Sequence, residues 1–143
     1  MVTYHYGDLL KSECDIIAHQ VNLDGIMGGG LALQIADKYP NCEVEYKKMV
    51  ENNISLGDIF YSKERDCIIA NCFTQDKYYN TNYSALKKAF AQLRFDAERL
   101  GNLTVGIPHG YGCGIANGEW GIVEEIILTV FGNSCVDFQI WKL

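Results

Sequence analysis

"DIIAHQVNLDGIMGGGLALQIADKYP", residues 15–40, reads as a strand, a glycine loop and a helix in direct succession. "DIIAHQVN" is short, apolar and ends in polar residues, the pattern of a buried strand. "LALQIADKYP" has helical character, and Pro40 predicts its stop. Between them lie Gly28, Gly29 and Gly30. Glycines before a helix permit positive φ and leave several N–H groups free near the positive end of the helix. Such a loop is competent to hold an anion or a sugar hydroxyl. A flexible turn would account for the same run of glycines.

A second copy of this arrangement lies further along the chain. "LTVGIP" is a buried strand that runs into "HGYGCGIANGEW", residues 109–120, with glycines at 110, 112, 114 and 118. A helix follows, with Val123, Ile126, Ile127, Val130 and Phe131 on one face. Around these two units, "VTYHYG" predicts an opening strand, "CEVEYKKMVENN" a second helix, and "DIFYS" and "CIIANCF" two more strands. "FTQDKYYNTNY" reads as a loop. "SALKKAFAQLRFDAERLG" is the clearest helix, with Leu86, Phe90, Leu93, Ala97 and Leu100 at helical spacing and Gly101 as its stop. "VDFQIWKL" is the last strand. Strands alternate with helices, so a three-layer α/β/α domain with a mixed central sheet is expected over residues 1–143. Both glycine loops should then lie beyond the carboxyl ends of strands, where such sheets bind ligands. Two such loops at one edge suit a ligand with two linked phosphates between two polar ends.

Charge and cysteines narrow the classes. The net charge of −6 argues against a broad basic surface for nucleic acid. A small anion remains possible, because backbone N–H groups bind it without net positive charge. The six cysteines form no CxxC pair, and no His/Asp/Glu cluster has metal-ligand spacing, so no metal and no cofactor are expected. Reduced thiols, no signal peptide and no bilayer-length apolar run predict a cytoplasmic protein without a membrane partner. A monomer is expected.

Known phosphate and nucleophile motifs do not fit. GxxxxGK[ST] is absent. "GYGCG" has neither the position nor the spacing of a dinucleotide fingerprint. A GxSxG-like elbow around Cys113 fails, because Tyr111 and Ile115 stand where glycine is needed. The glycines flanking Cys113 favour close backbone approach over a nucleophilic thiol. His19 ends a buried strand, which fits a satisfied core histidine. Asn22 and the triple glycine follow in the same loop, which fits a proton-transfer role equally well. His5 and His109 have weaker claims. Asp8 sits at a turn, as an Asx turn or helix cap, or as an acceptor for an amino group.

Taken in order, "YGDLL", "IAHQVNLDGIMGGGLALQIADKYP", "IANCFTQ", "IPHGYGCGIANGEW" and the terminal "IWKL" resemble a macrodomain. The nearer resemblance is to the branch that contains terminal ADP-ribose protein glycohydrolase, ADP-ribose 1''-phosphate phosphatases and antitoxins that strip ADP-ribose from DNA. It spans nearly the whole chain. It implies ADP-ribose or ADP-ribose 1''-phosphate as ligand. Asp8 would take the adenine amino group and the Leu9 N–H a ring nitrogen. Asn22 would hold the distal ribose, with His19 just behind it. Gly28, Gly29 and Gly30 would wrap that ribose and one phosphate. Gly112, Cys113, Gly114 and Ile115 would offer N–H groups to the diphosphate, and Trp141 would lie against adenine or pack at the sheet edge.

Two departures from the protein glycohydrolase bear on mechanism. An ungapped reading puts Thr74 where that enzyme has its lysine and Ala116 where it has an aspartate, with Lys77 close by and Asn117 no base. The resemblance therefore favours a phosphatase acting on ADP-ribose 1''-phosphate, with His19 and Asn22 as catalytic candidates. His19 would activate water or protonate the leaving sugar oxygen. A glycohydrolase acting on modified protein or nucleic acid, and a non-catalytic reader of ADP-ribose, remain as alternatives. Nucleic acid enters only as a modified substrate.

Overall fold

The computed structural model describes residues 1–143. The elements follow the chain as β1 (Val2–Tyr6), a 3₁₀ turn (Leu9–Lys11), β2 (Ile16–Val21), α1 (Gly30–Lys38) and α2 (Pro40–Val50). Then come β3 (Ile59–Lys63), β4 (Ile68–Phe73), α3 (Tyr83–Arg99), β5 (Val105–Pro108), α4 (Trp120–Phe131) and β6 (Phe138–Lys142). One six-stranded sheet has the order β1-β6-β5-β2-β4-β3. β3 runs antiparallel to β4, and all other pairs are parallel. The expected α/β/α layering with a mixed sheet is present.

Alternation along β2 sorts side chains between two cores. Ile16 and Ala18 enter the core under α3 and α4, while Ile17 and Val21 enter the core under α1 and α2. β4 does the same, with Ala70 and Cys72 on one side and Ile69 and Phe73 on the other. Both faces are covered, which explains the near-continuous apolar reading of these strands.

Helix ends have local causes. The Asn82 side chain accepts from the Ala85 N–H at 2.9 Å and caps α3, a contact worth about 1 kcal/mol. Leu86, Phe90, Leu93 and Ala97 are buried as the spacing predicts, but Leu100 is 55% exposed. Leu100 is the C-cap, where the chain leaves the helical path, so its side chain no longer shares the buried face. Pro40 is not the last residue of α1. α1 ends at Lys38 and Pro40 opens α2, where its missing N–H costs no hydrogen bond.

The position of the site follows from topology. β2 and β5 are neighbours in the sheet. The helix after β2 packs on one face, through Ile35 and Ala36, and the helix after β5 packs on the other, through Val123, Ile126 and Ile127. The loops after these strands therefore diverge and open a crevice at the carboxyl edge.

Candidate functional site

A cavity of about 710 Å³ fills this crevice. Its walls come from the end of β2 (His19, Gln20, Asn22), the first glycine loop (Gly28 to Gly30), the second (Gly110 to Gly112, Gly114 to Ala116) and the β4–α3 loop (Gln75, Tyr79). The wall contains no Lys, Arg, Asp or Glu.

Main-chain amides provide the polarity. Gly29 is the N-cap of α1 and has no capping side chain. The N–H groups of Gly28, Gly29, Gly30, Leu31 and Ala32 meet no acceptor in the protein. In the second loop the same holds for Gly112, Gly114, Ile115 and Ala116. Helix ends and glycine turns with such free donors are anion sites. Cys113 is the exception to the sequence expectation. Its N–H donates to the Gly110 carbonyl at 2.8 Å, which closes a turn. Its thiol meets the Tyr111 carbonyl and burial raises its pKa, so it offers neither an amide to the cavity nor a thiolate.

His19 is 2% exposed and lies beside Asn71, its register partner on β4. The Asn71 Nδ2 donates to the Phe60 carbonyl at 3.0 Å on β3. That contact fixes the carboxamide, so Asn71 Oδ1 faces His19 Nε2 at 2.7 Å and accepts from it. Nδ1 is then the unprotonated nitrogen, and it has no partner. Burial lowers the imidazole pKa from 6.5 to about 4, with the Asn71 contact opposing the shift. His19 is thus a neutral imidazole with a free lone pair. It has no proton on Nδ1 to give to a leaving group at neutral pH, which leaves only the acceptor half of the role expected from sequence.

Asn22 is committed to shaping its own loop. Its Oδ1 accepts from the Asp24 N–H at 3.0 Å, the Ile26 N–H at 3.3 Å and the Tyr46 hydroxyl at 2.8 Å. Its Nδ2 donates to the Ile26 carbonyl at 3.0 Å. One Nδ2 hydrogen is left, so Asn22 can donate once to a ligand but has no spare oxygen for acid–base work.

Gln20 points to the opposite face of the sheet and ties the loops together. Its Nε2 lies 3.2 Å from Thr74 Oγ1 and 3.0 Å from Thr81 Oγ1. Thr74 Oγ1 also meets the Tyr111 hydroxyl at 2.8 Å, and Thr81 Oγ1 donates to the Gly112 carbonyl at 2.6 Å. Thr74 is fully buried in this network and cannot stand in for a reactive lysine. Lys77 does not substitute either: its ammonium lies over the Tyr78 ring, 5.0 Å from the centroid, and it is absent from the cavity wall. Ala116 is in the wall, and Asn117 is not.

The other expected site residues flank the cavity rather than line it. Asp8 caps the 3₁₀ turn, accepting from the Leu10 N–H at 2.9 Å through Oδ1, which leaves Oδ2 free. The Leu9 N–H also has no acceptor. Trp141 pairs in register with Pro108, which does line the cavity, so these residues mark one end of the crevice. One face of Trp141 is covered by His5, with centroids 4.9 Å apart. His109 lines the cavity and packs against Trp120. Asn71, Gln75, Tyr79 and Thr81 were not expected from sequence. Asn71 carried a readable signal, a lone amide inside an apolar strand. The other three depend on how the β4–α3 loop folds back.

No family model matches the chain. A DNA ADP-ribosyl glycohydrolase of Mycobacterium tuberculosis is 36% identical over 61 residues, 42% of this chain but only 17% of that protein. An ADP-ribose 1''-phosphate phosphatase of Lodderomyces elongisporus is 25% identical across 99% of this chain and 98% of its own length. The solved macrodomain of Mycobacterium tuberculosis DarG superposes with a TM-score of 0.88 at 27% identity, over 99% of this chain and 97% of that one. Thermosipho africanus DarTG in complex with ADP-ribose shares the fold, with a TM-score of 0.84 at 18% identity, over 97% of this chain and 42% of that one. Six strands in this order, a crevice at the β2/β5 switch point and these likenesses agree: the chain belongs to the macrodomain family.

Proposed function

We propose that the chain binds ADP-ribose and hydrolyses ADP-ribose 1''-phosphate to ADP-ribose and inorganic phosphate. The observation that carries this reading is the double array of unpaired amides in a wall free of charged side chains. A pyrophosphate held by backbone N–H groups needs no lysine. The second glycine loop would take the diphosphate through Gly112, Gly114 and Ile115. Asp8 Oδ2 and the Leu9 N–H would meet adenine beside Trp141. The remaining Asn22 hydrogen would hold the distal ribose.

For the chemistry, a water oxygen forms a bond to the 1'' phosphorus while the bond from phosphorus to the sugar oxygen breaks. Amides of Gly28 to Gly30 would stabilise charge on the phosphoryl oxygens. His19 Nδ1 would accept from the attacking water, and the departing sugar oxygen would take its proton from solvent. Six free thiols, four of them buried, suit a reducing cytoplasm.

The mycobacterial relative named as a DNA ADP-ribosyl glycohydrolase supports a second reading, removal of ADP-ribose from DNA. Against it stands the absence from the wall of any carboxylate to activate a water, or of any lysine to attack the anomeric carbon. One experiment separates the readings. The protein is incubated in parallel with ADP-ribose 1''-phosphate, ADP-ribosylated DNA and ADP-ribosylated protein, and phosphate and ADP-ribose are quantified. Phosphate release from the first alone is expected. ADP-ribose release from either polymer would replace the phosphatase assignment, and calorimetric binding without turnover would make the protein a reader.

A further inference from the structure

The β4–α3 loop is folded onto itself and reaches across the crevice. Asp76 Oδ1 accepts from the Tyr78 N–H at 2.9 Å and the Asn80 N–H at 3.1 Å. Gln75 pairs with Thr81 as an isolated bridge, and Gln75 Nε2 donates to the Tyr79 carbonyl at 2.9 Å. At the tip, Tyr79 has φ +63°, a left-handed conformation that a residue with a Cβ adopts at a cost. Tyr79 lines the cavity and its hydroxyl donates to Asp24 Oδ2, on the loop after β2. Asp24 is itself held by Asn22 Oδ1 through its N–H. Phenol and carboxylate therefore join two loops that otherwise diverge from neighbouring strands. This junction lies at the β4 side of the sheet, opposite the end marked by Trp141.

We infer that the Tyr79–Asp24 contact is a strap that closes the distal-ribose end of the cavity and restricts what the C1'' carbon can carry. The inference rests on the orientation of ADP-ribose given under the proposed function, and it deepens that reading by naming which groups at C1'' are excluded. A hydroxyl or a phosphate fits beneath the strap. A heterocycle, nucleobase or side chain attached at C1'' collides with the Tyr79 ring unless the two loops part. The left-handed backbone at Tyr79 is held by five local hydrogen bonds, and the residue borders the cavity even though 42% of it is exposed.

The test compares calorimetric binding of ADP-ribose with that of nicotinamide adenine dinucleotide, which is ADP-ribose with a pyridinium ring on C1''. The wild-type protein should prefer ADP-ribose by tenfold or more. Tyr79→Ala removes the ring, and Tyr79→Phe and Asp24→Ala remove only the tether. All three should shrink the preference to threefold or less, with Tyr79→Phe reporting even if the alanine variant is unstable. A preference unchanged in Tyr79→Phe and Asp24→Ala overturns the strap while leaving the ADP-ribose site intact. A wild type that binds neither nucleotide overturns the ligand reading itself, and the strap with it.

Discussion

His19 borders the crevice and keeps its unprotonated Nδ1 buried, where protonation is costly. The folded pKa of about 4 lies below the ordinary 6.5, so the unfolded chain binds a proton that the native state refuses between those values. Stability from this residue is complete above pH 6.5 and falls as the pH drops towards 4. At about 1.4 kcal/mol per unit, acidification to pH 5 should cost roughly 2 kcal/mol. Urea unfolding at pH 7 and pH 5 measures this, and His19→Gln should flatten the difference. If the variant loses as much stability on acidification as the parent, the proton uptake belongs elsewhere. At pH 7, His19→Ala should slow phosphate release on the order of 100-fold. Retained turnover would reduce His19 to a packing residue.

At the scale of elements, glycines in the second loop divide by geometry. Gly112 has φ +71°, and a Cβ there would sit 2.6 Å from Thr81 Oγ1, the atom that anchors this loop to the β4–α3 loop. Gly114 has no positive φ, and a Cβ there would meet nothing within 4 Å. Gly112→Ala should therefore destabilise the fold by about 1–3 kcal/mol and weaken ADP-ribose binding. Gly114→Ala should stay within about 0.5 kcal/mol in stability. Thermal melting of the two variants decides the matter, and equal losses would refute the distinction. The strand–glycine–helix units were legible in sequence because periodicity and glycine position are local signals. The fate of the Cys113 amide was not legible, since it depends on a turn closed by Gly110. Asn22 was readable as a residue of the crevice wall. Its saturation by Asp24, Ile26 and Tyr46 was not, because the Tyr46 hydroxyl arrives from α2.

Across the whole molecule, the proposed anionic ligand would meet a protein whose net charge is −6. No wall residue is cationic, so binding releases no ion pair for salt to screen, and the long-range field repels the ligand. ADP-ribose affinity should therefore stay flat or rise slightly between low and high salt. A tenfold fall in calorimetric affinity with added salt would point to cationic side chains as the true grip. The layering and the edge that carries the site followed from alternation of strands and helices, but the strand order did not. Parallel neighbours such as β1 and β6 are joined by pairing between the two ends of the chain, which no local pattern reports.

The Phe60 carbonyl that orients Asn71 belongs to β3, an edge strand bordered on one side only. Fraying of that border would release the Asn71 carboxamide to rotate. Its amino group would then face the imidazole and pull the ring into the opposite tautomer, placing hydrogen on the nitrogen that now stands bare. Breathing at the periphery of the sheet would thus reach the heart of the crevice as a change in which atom holds a proton.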